Sequence, residues 1–486
     1  MAEDKELKRG LNLPMAIFII IGMVIGASIW ISPADYLSKT GPGIFLSYII
    51  AVIPAIFVAY VIAFIGSAFP VAGGTYVVNS RLLGGFGGFM TVWLIILAVG
   101  STLAYLATTF GIFIGQAIGI APEAELWFSI VIGVIVLTVF YFLNWIKIEV
   151  SGAIELVITL IGDILVMVIF IIAAIPAFKP SNFVNMFPLK FPPVLFAALV
   201  FYFSYTGFSL ILDVAGEVKN PRKNIPRALL VSIIVLTGLY TLQALMIAGV
   251  QQWDSPVGTV IEIIMGGSLV SPGVLLFMTI LIAVAIASTM HPSYMAFSRD
   301  ILMISREKLF PKILSKVHKK HRTPIPALTL LFIVGIIFMF TFIPLLTPLV
   351  GISNAAVLLS AVVGVVVLIL QVPISIAVFV LPKRFPEWYE NAGFKPSLKA
   401  LKVMGIIAGV SSFIFLLLLF LDEAGILISL IVFPFAAVGA IIYLIRRYGL
   451  KKSGVNIKEI MSKLPESVSL DEGVPSKVER LAQKKD

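Results

Sequence analysis

About twelve apolar runs, each near the roughly 20 residues needed to cross a bilayer as a helix, are separated by short charged gaps and leave this chain few folds to choose from. In hydrocarbon every backbone N–H and C=O has to be paired within the protein, so segments of this kind are helices. The runs lie near 13–38, 43–69, 84–118, 126–145, 150–177 and 191–215, then near 226–251, 272–305, 325–345, 351–381, 401–421 and 425–446. Of 486 residues 60% are hydrophobic and 12% charged, which excludes an ordinary soluble domain. The fold class is an all-α polytopic membrane protein.

Where the cations fall sets the expected orientation. Lys5, Lys8 and Arg9 precede the first run, and Lys219, Arg222, Lys223 and Arg227 follow the sixth. Arg306 to Arg322 is dense in lysine and arginine, as are the gaps after the tenth and twelfth runs. The alternate gaps are acidic, with Glu123, Glu125, Asp254, Asp422 and Glu423. By the positive-inside rule both termini, residues 1–12 and the polar tail 447–486, are cytoplasmic. The net charge of +10 is that pattern and does not imply nucleic acid. The first run is too long for a signal-peptide core and is read as a span. With no cysteine and three histidines, of which His318 and His321 sit in a basic gap, the chain has little material for a metal centre or a catalytic triad. An enzyme is therefore not expected.

Inside the first run stands Gly22-Met23-Val24-Ile25-Gly26-Ala27-Ser28-Ile29-Trp30. Each glycine costs up to about 1 kcal/mol relative to alanine inside a helix. Taken alone, the spacing suits either close helix packing or a helix that unwinds at mid-membrane.

Three further segments favour the second reading. Phe69-Pro70-Val71-Ala72-Gly73-Gly74-Thr75-Tyr76 follows the second run, and the sixth ends in Phe203-Ser204-Tyr205-Thr206-Gly207-Phe208 and then Gly216 to Arg227. The eighth closes with Ser298-Arg299-Asp300 and Arg306-Glu307-Lys308-Leu309-Phe310-Pro311. In order and spacing, over about residues 10 to 446, these resemble the amino acid–polyamine–organocation family of secondary transporters.

The resemblance implies a LeuT-type fold of twelve transmembrane helices. Residues 13–446 would form the transporter, with inverted repeats over about 13–177 and 191–381 and two extra helices over about 401–446. Helices 1 and 6 would be broken near the midplane. The unpaired backbone groups of such breaks suit a zwitterion, with carboxylate on N–H groups and ammonium on carbonyls. Ile25, Gly26, Ala27 and Ser28 would line the first break, and Ser204, Tyr205, Thr206 and Gly207 the second. The resemblance makes Phe203 an aromatic gate over the substrate. Ser209 stands where relatives for dibasic substrates can carry a glutamate, which favours a neutral substrate. Asp213, four residues on, lies on the same helical face and offers either a site for a cationic amino acid or polyamine or, equally, a pairing with a neighbouring helix.

Ionisable residues inside a membrane are functional candidates by default, and Asp163, Asp213 and His291 are the three that matter. Many proton-coupled relatives place a lysine in helix 5; that position aligns with Gly162, beside Asp163. Asp163 or His291 as a proton carrier, Ser288 and Thr289 with first-helix carbonyls as a Na⁺ site, or substrate exchange without an ion all remain open. Interhelical hydrogen bonding is the plain alternative for Ser288 and Thr289, and a satisfied polar pair for Asp163. Arg299 and Asp300 form a candidate cytoplasmic gate pair, while the charges from Glu217 to Arg227 are expected to meet headgroups. No cofactor is expected beyond a coupling ion, H⁺ or Na⁺. The partners are an amino acid substrate and the bilayer. With no cysteine in the outer loop Ala121 to Leu126, no covalent partner subunit is expected, and the plasma membrane is the expected location. A non-transporting amino acid sensor on the same fold is the alternative of a different class. Its relatives usually append a signalling domain, for which the tail is short. A cation–chloride cotransporter would carry a large soluble domain.

Overall fold

The computed structural model describes residues 7, 9–26, 28–254, 272–421 and 425–464. Among them ten helices are long and apolar enough to cross a membrane. The two apolar runs without a long helix are the first and the sixth. The first yields α1 (Leu13–Val24) and α2 (Ser28–Thr40). Asn12 starts α1 by accepting the Met15 N–H at 3.0 Å, with proline in its first turn, where a missing N–H is no loss.

Next come α3 (Ile44–Ala68) and α4 (Gly74–Ile118). At 45 residues α4 would far exceed a bilayer, and Gly84 (φ 73°, ψ −167°) kinks it into a short first arm and a spanning one. Then follow α5 (Pro122–Leu143), α6 (Ile148–Ile158) and α7 (Val166–Ala174). A π-helical turn, Thr159–Leu165, joins α6 to α7 and inserts extra backbone into the fifth run. The sixth run begins as α8 (Pro192–Tyr202) and continues through 3₁₀ turns at Phe203–Tyr205 and Phe208–Leu212. Beyond it lie α9 (Pro221–Val250), α10 (Pro272–Ser288) and α11 (Met290–Arg306), the last two nearly continuous. The chain closes with α12 (Ile325–Val350), α13 (Ile352–Arg384), α14 (Pro386–Glu390), α15 (Leu398–Leu421), α16 (Gly425–Lys452) and α17 (Ile457–Ile460).

Burial separates centre from rim. The most apolar window of the Thr279–Arg306 span is 78% buried, against 22% for those of α15 and α16. The first is therefore a core element. The other two present Phe413, Ile414, Leu417, Leu430 and Phe433 outward, as lipid-facing helices do. Helix α4 packs on α5, α10, α11, α12 and α13. Helix α1 lies against α6, the π turn, α9 and α11. At the end of the bundle rich in cationic loops, the two interrupted runs are clasped together. Gly10 and Leu11 donate backbone N–H bonds to the Glu217 carbonyl at 2.9 and 3.0 Å, and Lys219 donates one to Leu11 at 2.7 Å.

Candidate substrate and cation site

An ended helix leaves carbonyls without intrahelical donors, and in an apolar interior each needs another partner. At the end of α1 those partners come from two other elements. The Thr289 hydroxyl donates to the carbonyls of Gly22 at 3.0 Å and Ile25 at 2.8 Å. Tyr240 on α9 donates to Val24 O at 3.3 Å, and beyond the interruption Gln243 Nε2 donates to Ile29 O, in the first turn of α2, at 3.0 Å. The N–H of Gly26 bends back to Val24 O at 3.0 Å. Ile25 is buried, and no atom of the described residues beyond its chain neighbours lies within 4 Å of where a side chain on Gly26 would begin. Ala27 and the side chain of Ser28 lie outside the described residues.

The second interruption abuts the first. Gly207 adopts φ 116°, a conformation that L side chains rarely take, and a Cβ there would lie 3.3 Å from Met23 O. Ser204 and Tyr205 are buried, whereas Thr206 and Ser209 are half-buried. The Tyr205 hydroxyl donates to Tyr48 O at 3.2 Å. Its ring lies 6.4 Å from that of Tyr48 and 5.4 Å from that of Tyr240, while Tyr48 stacks on Phe201 at 4.2 Å. These rings wall one side of the interrupted segments with apolar faces and few hydrogen-bonding edges. The Phe203 side chain, the candidate gate, lies outside the described residues.

Asp163 meets Ser288, the residue before Thr289, at the junction of α10 with α11. The Ser288 hydroxyl lies 3.1 Å from Asp163 Oδ2 and 2.6 Å from Ala285 O. Asp163 is completely buried, and its Oδ1 has no hydrogen-bond partner among the described residues. The π turn carries Asp163 toward Ser288, whereas a Cβ on Gly162 would lie 3.5 Å from the Ala285 backbone. Two groups of oxygen atoms thus adjoin at consecutive residues: Asp163, Ser288 and the Ala285 carbonyl in one, Thr289 and the Gly22 and Ile25 carbonyls in the other. A donor set made wholly of oxygen, with one negative charge and an orphaned carboxylate oxygen, fits a hard monovalent cation.

His291 points elsewhere, and its partner is a residue that sequence reasoning passed over. Glu155 Oε2 lies 2.7 Å from His291 Nδ1, both side chains being fully buried, and His291 Nε2 lies 3.0 Å from Ser151 Oγ. Thr159 donates to Glu155 Oε1 at 3.0 Å. The signal was present in the sequence: Glu155 stands four residues before Thr159 and eight before Asp163, on one helical face inside an apolar run.

At the cation-rich end the structure corrects three expectations. Asp213 does not face the substrate region, because the preceding segment is 3₁₀ rather than α and the four-residue face rule fails there. Its Oδ1 accepts the Thr75 N–H at 2.8 Å, and Asp300 Oδ1 accepts that of Tyr76 at 2.9 Å, so both carboxyls sit on the first turn of α4. Arg299 therefore pairs not with Asp300 but with Glu217, at 2.7 and 3.2 Å. Glu217 is fully buried instead of reaching headgroups, since the clasp to Gly10 and Leu11 draws its backbone inward. A second buried pair, Arg81 with Glu307 at 2.6 Å, ties the first arm of α4 to the end of α11. Arg81 Nε also holds Lys463 O at 2.8 Å, and Arg384 Nη2 holds Met461 O at 3.0 Å, so the segment after α16 is docked on the same face.

Comparison with known proteins agrees with this architecture. The sequence pattern of the amino acid permease family matches residues 11–445. A branched-chain amino acid permease of Bacillus subtilis is 29% identical over 408 residues, 79% of this chain and 83% of the relative. A serine/threonine exchanger of the same organism is 25% identical over 69% of this chain and 78% of its own length. The human cystine/glutamate transporter is 26% identical over 70% of this chain and 69% of its own. These relatives are transporters and not enzymes. The chain is a multi-pass membrane protein and belongs to the amino acid permease family, within the amino acid–polyamine–organocation transporters.

Proposed function

We propose that this chain carries neutral amino acids across the plasma membrane by alternating access, driven by sodium bound between the end of α1 and the junction of α10 with α11. The observation that carries the reading is the oxygen cluster formed by Asp163, Ser288, Thr289 and the carbonyls of Gly22 and Ile25. A coupling cation there touches the same interrupted segment that offers its backbone to a substrate, so binding one organises the site for the other. A neutral substrate is supported by the placement of Asp213, whose carboxyl is committed to the first turn of α4. It is also supported by relatives whose names specify branched-chain amino acids, serine and threonine. The zwitterion's own charges then meet backbone dipoles at Gly26 and Gly207. Both termini are cytoplasmic by the distribution of lysine and arginine.

Counterflow tests the substrate class. Proteoliposomes loaded with one unlabelled amino acid at a time are expected to accumulate the labelled form for leucine-, valine-, serine- or threonine-like substrates and not for arginine or putrescine. Binding without any counterflow would replace the transporter by a sensor; uptake of arginine would overturn the neutral assignment.

A further inference from the structure

Gly22 is gripped from two sides. On one, its carbonyl accepts the Thr289 hydroxyl at 3.0 Å. On the other, its Cα rests against the Glu155 carboxylate so closely that a Cβ would lie 2.2 Å from Oε1 and 2.5 Å from Thr159 Oγ1. Any larger residue there has to displace the carboxylate. Glu155 cannot retreat easily, because Thr159 holds one oxygen at 3.0 Å and His291 the other at 2.7 Å. Ser151 in turn holds the far nitrogen of His291 at 3.0 Å. His291 belongs to the same polypeptide turn as Thr289, two residues on. A closed ring results: Gly22 to Thr289, along the chain to His291, across to Glu155, and back to Gly22. The Thr159 hydroxyl also reaches Phe18 O at 3.5 Å, one turn earlier on α1.

We propose that Glu155, braced by His291, is a positioning residue of the cation site: it sets the position of the Gly22 carbonyl without touching the ion. This rests on the sodium reading given above. A buried pair of polar side chains is a costly device for fixing one helix end, and an apolar contact would pack as well. What the pair adds is stiffness. Two directional bonds fix the carboxylate, and the missing Cβ lets that stiffness act directly on the backbone of a ligand residue. Outer partners of this sort commonly change metal affinity about 10- to 100-fold when removed.

The test is ²²Na⁺ binding to the purified full chain in nanodiscs, together with the sodium and substrate concentrations that half-saturate uptake. Glu155→Ala is expected to weaken sodium binding about 10-fold or more, while half-saturation by substrate at saturating sodium stays within about 2-fold. Glu155→Gln keeps the shape and both hydrogen-bonding positions and stays within about 3-fold of the unaltered chain. Gly22→Ala displaces the carboxylate instead of removing it and weakens sodium about as much, whereas Gly22→Ala with Glu155→Ala is expected to be no weaker than either single variant, the non-additivity of direct contact. Unchanged sodium affinity in Glu155→Ala overturns the proposal; if that variant is not recovered folded, unchanged affinity in Gly22→Ala does the same. Absence of ²²Na⁺ binding to the unaltered chain removes the cation site itself and the proposal with it, an outcome told apart because no variant is involved.

Discussion

Asp163→Asn is expected to abolish sodium-driven accumulation while leaving a folded protein. Asparagine has nearly the same shape, and its carbonyl oxygen can take the place of Oδ2 opposite Ser288, so the packing between the π turn and α10 is retained. What disappears is the negative charge of the carboxylate beside Ser288. The number of charged ligands moves cation affinities over orders of magnitude, and a loss of about 100-fold or more in sodium binding is expected. Uptake would then respond neither to sodium concentration nor to its gradient, and the variant would elute as a single monodisperse species. Retained sodium dependence in Asp163→Asn would remove the carboxylate from the site and leave the hydroxyls and carbonyls as ordinary interhelical bonds.

The second large effect is on stability. Arg299 and Glu217 are 2% and 0% exposed, and they join α11 to the segment that follows the sixth run. Glu217→Ala strands a guanidinium in a dry interior, which costs about 3–5 kcal/mol. Replacing both residues by apolar ones of similar volume is expected to recover much of that loss, because no charge is then left unpaired. Lys395→Ala provides the contrast. Its pair with Glu390 is 38% and 65% exposed, so removal changes stability by about 1 kcal/mol or less. Denaturant titrations of the four proteins, followed by tryptophan fluorescence, decide the matter. Equal losses for the buried and exposed variants would mean that the cation-rich end is hydrated and that Glu217 is not locked.

Much of this organisation can be read from residue order alone. Apolar runs report helices because the bilayer permits little else, and ten helices of spanning length bear that out. Gly22 and Gly26 mark the end of α1, and Ser288 with Thr289 marks the partner surface, since small and hydroxyl-bearing residues have few other uses at such depth. Pairings between distant segments are what the order of residues conceals. Glu155 and His291 are 136 positions apart, and Glu217 and Arg299 are 82 apart. Three carboxylates and one arginine near each other in space offer several matches, and proximity along the chain favours the wrong one, Arg299 with Asp300. Two local irregularities hide the rest. A π turn re-aims Asp163 by inserting one residue, and a 3₁₀ segment swings Asp213 off the face that α periodicity assigns it. Both are departures from the 3.6-residue repeat on which face assignments depend.

The strongest single test of sodium-driven transport is dual-label flux. Proteoliposomes would receive ²²Na⁺ and a tritiated neutral amino acid together, and each would be counted with and without the other. Sodium entry that requires the amino acid, and amino acid entry that requires sodium, in a fixed ratio, is the expected result. Full-rate amino acid uptake with choline in place of sodium, accompanied by no ²²Na⁺ entry, would contradict it and make the oxygen cluster around Asp163 a structural feature of the helix junction.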